Sequence, residues 1–250
     1  MPGYARKNDS YEARIDRSYV FAQGAFKIVY KGVYIEGKRA GQSCVSKEFK
    51  SGSVYEASYF ANELKVVQRT LGIVRKFNSA NFINRPVWVN IPAVWECKDN
   101  YGRKSLIEPM IENFEKFNSN TGWTPHYMCD WAELMQALSH FSYDVTDGEV
   151  LCCDLQGGIY RDGFIISDPV IMSRNGSYGP TDLGSRGIST FFAHHECNKF
   201  CKPFWRLPHD TRTYFNRNRG TCMAIPTRHS RPPLSQRAIN EESDSDDDYY

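Results

Sequence analysis

The stretch "EVLCCDLQGGIYRDGFIISDPVIM", residues 149–172, decides how the chain is read. It opens on an apolar run, "EVLCCDL", with the length and composition of a buried strand, and it closes on a second, "GFIISDPVIM". Each run delivers an aspartate at or near its end, Asp154 and Asp168, fourteen residues apart. Carboxylates at strand ends separated by a hairpin-sized segment can converge on one small volume. With the amide of Gln156 they form the oxygen-rich site that a hard cation and a hydroxyl nucleophile require. Taken singly, each aspartate is better explained as a turn cap, so the pair carries weight only in company. Cys152 and Cys153 read as small apolar side chains packed in a core.

The company lies upstream. "YVFAQGAFKIVYKGVYI" (19–35) is rich in β-branched and aromatic residues and broken at Gly24, which predicts strand, tight turn and strand. "QSCVSKEFK" (42–50) is a third strand, carrying Lys47. A lysine there can reach the phosphates of a nucleotide lying under the turn, although a solvated strand lysine fits the same pattern. Phe60, Leu64, Val67, Leu71 and Val74 recur at intervals of four, three, four and three, predicting an amphipathic helix to about Phe77. "PVWVNIPAVWEC" and "KSLIEPMIE" flank the turn "KDNYG" and predict a hairpin. The first 115 residues thus read as a mainly β lobe crossed by one long helix.

Beyond them, the polar "EKFNSNTGW" (115–123) reads as a join to a second lobe. Asp130 with Glu133 has the form of a capping box, followed by Trp131, Leu134, Met135, Leu138 and Phe141 on one helical face. "GPTDLGSRGISTFF" (179–192) is a glycine-marked loop entering a further helix, which runs into "HHECNKFC" (194–201). Two histidines and two cysteines so close together fit either a metal site or ordinary thiols beside a satisfied histidine.

The 250 residues, 41% hydrophobic and 14% aromatic, suffice for a large core without disulfides or repeats. No run approaches the roughly 18 apolar residues of a membrane helix, and "MPGYARKNDS" lacks the apolar region of an export signal. The expectation is a soluble, intracellular, cytoplasmic protein. Eight scattered cysteines then read mostly as free thiols. The net charge of +2 conceals an asymmetry: the last 14 residues, "RAINEESDSDDDYY", hold one basic and six acidic side chains, which leaves 30 basic and 23 acidic in residues 1–236. Such an acidic run predicts disorder. The basic body is not clustered densely enough to favour a nucleic-acid binder.

Six motifs, "IEPMIENFEKFNSNTGW", "ALSHFSY", "LCCDLQGG", "SDPVIM", "DLGSRGISTFF" and "HHECNKFC", follow one another in the order and at the spacings of the alpha-kinase catalytic domain. Over about residues 18–205 the chain resembles that group of atypical serine/threonine protein kinases. The resemblance implies an α+β, two-lobed, protein-kinase-like fold: a mainly β N-terminal lobe with one long helix and a mixed α/β C-terminal lobe with a structural zinc site. It divides the chain into a flexible N-terminus (1–17), a nucleotide-binding lobe (18–115), a catalytic lobe with the zinc site (116–222) and a disordered acidic tail (223–250).

It also implies transfer of the γ-phosphate of Mg-ATP to a serine or threonine of a protein substrate. Lys47 contacts the phosphates beneath the turn of Gly24 and Lys27, and Glu108 and Ile111 offer backbone groups to the adenine. Asp154 serves as the base, Gln156 and Asp168 hold Mg²⁺, and a loop with Asp182, Gly184 and Gly187 positions the substrate. Zinc falls to His140, His195, Cys197 and Cys201, a closed set of two imidazoles and two thiolates suited to structure rather than catalysis. Cys197 and Cys201 share a helical face, but His195 lies about 200° from Cys197, so the helix must unwind or turn there. His194 is left as a neighbour or surface residue.

Two positions depart from the family pattern. Lys27 stands where an arginine is usual, losing bidentate phosphate contact, and Asp182 stands where an asparagine is usual, adding negative charge near the transferred phosphate. They motivate a competing reading, a nucleotide-binding scaffold without turnover. For a lysine–glutamate pair of the kind seen in conventional kinases, Lys47 has only Glu56 or Glu63 on the helix.

Overall fold

The computed structural model describes residues 3–50, 57–98, 102–126 and 129–220. The acidic run, Cys222 and Glu56 lie outside them. The expected flexible lead-in is instead two strands, β1 (Ala5–Lys7) and β2 (Ser10–Asp16). Within "SYEARID", Ala13 and Ile15 pack against Tyr34, Cys44 and Ile107 while Arg14 and Asp16 face solvent, a period of two hidden by its charges.

β3 (Ala22–Gln23) and β4 (Lys27–Gly37) pair antiparallel across the turn at Gly24, and β5 (Ser43–Phe49) follows, with Lys47 opposite Val29. Helix α1 (Ala57–Ser79) buries Phe60, Val67, Leu71, Val74 and Phe77, the face its periodicity defines. The run 86–97 is cut at Pro92, which cannot donate to a ladder. It yields β6 (Val87–Ile91) and β7 (Ala93–Glu96), and only β7 forms the hairpin with β8 (Lys104–Pro109). The first sheet therefore runs β2-β4-β5-β8-β7, with β3 on β4.

β6 belongs to a second sheet, which the stretch "EKFNSNTGW" joins through its first two residues. Its start is β9 (Phe114–Lys116), and Phe117, Asn118 and Ser119 are buried. Asn118 is satisfied there by Gln136, Ser139 and the Leu155 N–H. Helix α2 (Asp130–Asp144) buries Trp131, Leu134, Met135, Leu138 and Phe141, but it has no capping box. Cys129 is the N-cap residue without a side-chain bond, and Asp130 and Glu133 pair with Lys199 instead.

β10 (Val150–Cys153) is the buried strand expected. The second run is two strands, because Asp168 turns the backbone at φ 48° and Pro169 follows. β11 (Gln156–Tyr160) and β12 (Gly163–Ile166) join the second sheet, β1-β6-β12-β11-β9, while β13 (Val170–Ser173) pairs with β10. Gly157, at φ 155°, is obligatory, since any Cβ there would overlap the Ile165 carbonyl. Gly184 and Gly187 are not in a loop: helix α3 (Gly184–His194) starts at the first, and the second lets α3 close on Met172 and Leu183.

One large core joins α1, α2, β6, β10 and β12, with Phe77, Phe141 and Trp205 among its aromatic members. Tyr143, Leu151, Met172, Ile188 and Phe191 seal α3 onto the β10–β13 pair. The seven described cysteines are free thiols, and no described helix is long and apolar enough to cross a membrane.

Candidate active site and metal centre

Between the first sheet and the β10–β13 pair lies a cleft of about 320 Å³, roofed by Gly24, Ala25, Phe26 and Lys27 and floored by Asp154, Gln156 and Asp168. The two aspartates thus come together as the opening stretch requires, and both hold left-handed backbone, φ 55° and 48°. That conformation costs a non-glycine residue about 1 kcal/mol or more and is tolerated where function fixes the geometry.

Asp168 sits between two ammoniums. Lys27 Nζ reaches its Oδ1 at 3.1 Å and also Glu63 at 2.8 Å; Lys47 Nζ reaches its Oδ2 at 2.9 Å. Burial acts to raise the Asp168 pKa, but Lys27 and Lys47 overcome it and hold the carboxyl well below the usual range. For Lys47, burial opposes the charge and Asp168 with Glu108 outweighs it, so its pKa rises.

Lys47 does not line the cleft; it is 2% exposed, behind Asp168, and donates to Ser167 Oγ at 2.9 Å. Among the described residues its glutamate is Glu108 rather than Glu63, and Ser167 Oγ donates to Glu108 Oε1 at 2.8 Å. Glu108 thus offers its carboxylate to Lys47 from β8, and Ile111 is buried just beyond that strand. The pattern rule missed this because β5 and β8 are adjacent strands with Lys47 beside Leu106, so the partner comes from the sheet rather than from α1.

Asp154, its side chain 17% exposed, pairs with Lys116, 1% exposed, Nζ to Oδ1 2.7 Å. Burial pushes the Asp154 pKa up, Lys116 pulls it down, and the balance lies at about 6. Sequence reasoning missed Lys116, whose only signal is a lysine between Phe114 and Phe117 in a strand of three residues. Gln156 Nε2 donates to Asp154 Oδ2 at 3.1 Å, while its Oε1 is buried without a partner among the described residues. An orphaned amide oxygen beside two carboxylates is a donor set that fits a hard dication such as Mg²⁺.

Asp182 does not face the cleft. Its Oδ1 accepts from the backbone N–H groups of Ser173 and Gly184, and its Oδ2 from Ser173 Oγ and Tyr178 N–H, at 2.6 to 3.1 Å. Both carboxylate oxygens act as acceptors, so aspartate satisfies donors on two sides where asparagine, with one acceptor oxygen, could satisfy only one.

The His/Cys cluster forms a separate centre. The donor atoms of His140, His195, Cys197 and Cys201 lie within 4.8 Å of one another. His140 Nδ1 and His195 Nε2 are 3.2 Å apart, and sulfur-to-nitrogen distances are 3.6 Å (Cys197 to His140), 3.8 Å (Cys197 to His195) and 3.7 Å (Cys201 to His195). A zinc tetrahedron with ordinary bond lengths has edges of about 3.3 Å and 3.6 Å, so the set fits that ion. The other His140 nitrogen meets the Arg206 carbonyl at 3.1 Å, which fixes the ring with Nδ1 free for metal. α3 ends at His194 and His195 is extended, the turn needed to bring His195 and Cys197 together. His194 turns away toward Thr213.

The alpha-kinase family model matches residues 22–201. The alpha-protein kinase vwkA of Dictyostelium discoideum is 27% identical over 78% of this chain and 33% of its own length, and alpha-protein kinase 1 of the same organism is 30% identical over 72% of this chain and 13% of its own. The chain thus spans a third or less of these relatives. Among solved structures, the alpha-kinase domain of myosin-II heavy chain kinase A in complex with AMP-PNP shares the fold, with a TM-score of 0.66 and 23% identity over 76% of this chain and 86% of that one.

Proposed function

The chain belongs to the alpha-kinase family, and from that premise we propose that it is an intracellular protein kinase that moves the γ-phosphate of Mg-ATP to a serine or threonine hydroxyl of a protein substrate. One observation carries the reading: a carboxylate poised near pKa 6, an unpartnered amide oxygen and a carboxylate held ionised by two lysines meet in one cleft.

In this proposal the first sheet, with the turn at Gly24 and Lys27, covers the nucleotide, and the backbone near Glu108 and Ile111 receives the adenine. Gln156 Oε1 and Asp168 hold Mg²⁺, which when bound neutralises charge on the phosphates. Lys27 supplies positive charge from the roof of the cleft and Lys47 from behind Asp168. Asp154, mostly ionised at pH 7, accepts the substrate hydroxyl proton at its carboxylate as the oxygen attacks the γ-phosphorus, the bond from that phosphorus to the β–γ bridging oxygen breaks and ADP leaves, and Lys116 holds the Asp154 carboxylate in place. Phosphoryl transfer gains mainly from such positioning and charge neutralisation. The start of α3, from Gly184 to Gly187, borders the substrate side, and the zinc module clips α3 to α2 in a structural role.

The competing scaffold reading is not favoured. Lys27 lays its ammonium on Asp168, and the Asp182 carboxylate is engaged within its own loop. The test is transfer from γ-labelled ATP to a basic protein or to the chain itself, with phosphoamino acids separated afterwards. Label on serine or threonine that disappears with Asp168→Ala supports the proposal; label equally present in both chains defeats it.

A further inference from the structure

After the zinc module the chain runs as an extended strap over the catalytic half. Ser189 Oγ donates to the Arg212 carbonyl at 2.8 Å, and Tyr214 N–H donates to Thr190 Oγ1 at 2.9 Å, which ties the strap to α3. Further on, Ser119 Oγ donates to the Asn218 carbonyl at 2.6 Å and Asn218 N–H donates to Thr121 Oγ1 at 3.0 Å. The described chain ends at Gly220 against the active-site lysine, since a Cβ there would lie 3.5 Å from Lys116 Nζ.

The strap turns arginines outward. Arg186 of α3 and Arg212 both lie over the Tyr214 ring, 5.5 and 5.3 Å from its centroid; Arg219 lies over Trp123 at 5.3 Å, and Arg217 donates to Thr124 Oγ1 at 2.9 Å. Arg212 is paired with Asp210. Arg186, Arg217 and Arg219 have no carboxylate partner among the described residues, and a guanidinium held near a ring by cation–π attraction, or by a single hydrogen bond, keeps N–H donors for a planar anion. None of these groups belongs to the catalytic set.

We propose that this arginine face is a docking site for an acidic peptide segment, and that its occupant is the acidic run of the same chain, residues 241–248. That run holds six carboxylates in eight residues, "EESDSDDD". The 20 residues between it and Gly220 can span up to about 66 Å, so reach does not limit docking. Tethering raises the local concentration of the run to the millimolar order, enough for weak carboxylate–arginine contacts to fill the face. Because the strap ends beside Lys116, a docked run stands at the substrate side of the cleft.

The test reads binding without nucleotide, so its outcome is separate from that of the kinase proposal. A fluorescent peptide with the sequence of residues 237–250 is titrated by anisotropy into the native chain and into the full chain neutralised at the run (Glu241→Gln, Glu242→Gln, Asp244→Asn, Asp246→Asn, Asp247→Asn, Asp248→Asn). The neutralised chain, its face vacated, binds the peptide about tenfold more tightly. That binding weakens as salt rises from 50 to 300 mM and is lost when Arg217→Gln and Arg219→Gln are added. Arg186→Gln, on a different element, serves as the second variant should that pair lower the thermal midpoint. Equal affinity for the native and neutralised chains overturns occupancy by the run, and binding that survives the arginine substitutions overturns the site.

Discussion

Replacing Lys116 with methionine keeps the bulk of the stem and removes the ammonium 2.7 Å from Asp154. Asp154 then faces burial without its main counterweight. An opposite charge at this range lowers a carboxyl pKa by about 1 to 3 units, so its loss moves Asp154 from about 6 to roughly 7–9. At pH 7 the native carboxylate is about nine-tenths ionised; after a shift of two units about one-tenth remains, a nearly tenfold drop in the active form. The assay is kcat against pH from 5.5 to 9.5. The acidic limb of the variant moves upward and most of the native rate returns near pH 9. A loss uniform across pH, or an acidic limb that stays in place, refutes the assignment of Lys116 and Asp154 as a coupled pair. Stability follows the same ionisation. Because the folded-state pKa lies above the unfolded value of 3.8, this group destabilises the fold as pH rises from about 4 to 6, by about 3 kcal/mol in all. The variant therefore falls furthest behind the native chain above pH 7.

Lys27→Ala removes one of two ammoniums on Asp168 and raises KM for ATP about tenfold, the size of one charge-assisted contact; an unchanged KM would place the phosphates elsewhere. Cys197→Ala lowers bound zinc, measured by atomic emission, from one per chain to a small fraction, and the thermal midpoint falls by about 10 °C for a loss of 3–5 kcal/mol; a stable, inactive, zinc-free product would contradict a structural role. Gly157→Ala costs at least about 3 kcal/mol in urea unfolding, because the new methyl meets the Ile165 carbonyl on a backbone fit for glycine; a loss under 1 kcal/mol would mean that β11 and β12 yield easily.

Long periodic elements were legible in the sequence, and single-residue breaks were not. The α1 and α2 faces follow from spacing alone, since a helix shows its buried stripe directly. β1 and β9 escaped notice because each is short, and β6 was read as strand but assigned to the hairpin, because β1 and β6 pair in parallel with strands remote in sequence, which no local pattern encodes. At Pro92 and Asp168 one residue decides whether an apolar run is one strand or two. In the site, the motif residues Asp154, Gln156 and Asp168 could be singled out because their chemistry is unusual on strand ends. Glu108 and Lys116 could not be assigned as partners, because their roles depend on which strands lie side by side. Asp182 was misread for a related reason: the direction of a side chain in a turn is set by the N–H groups around it, here those of Ser173, Tyr178 and Gly184.

The most direct test measures ATP affinity and γ-phosphate transfer on the same preparations of the native chain and Asp154→Ala. Both chains should bind Mg-ATP with Kd values within a few-fold, while transfer by the variant falls by about 10² to 10⁴. Equal transfer from the two chains, or a native chain that binds ATP and transfers nothing, contradicts the account.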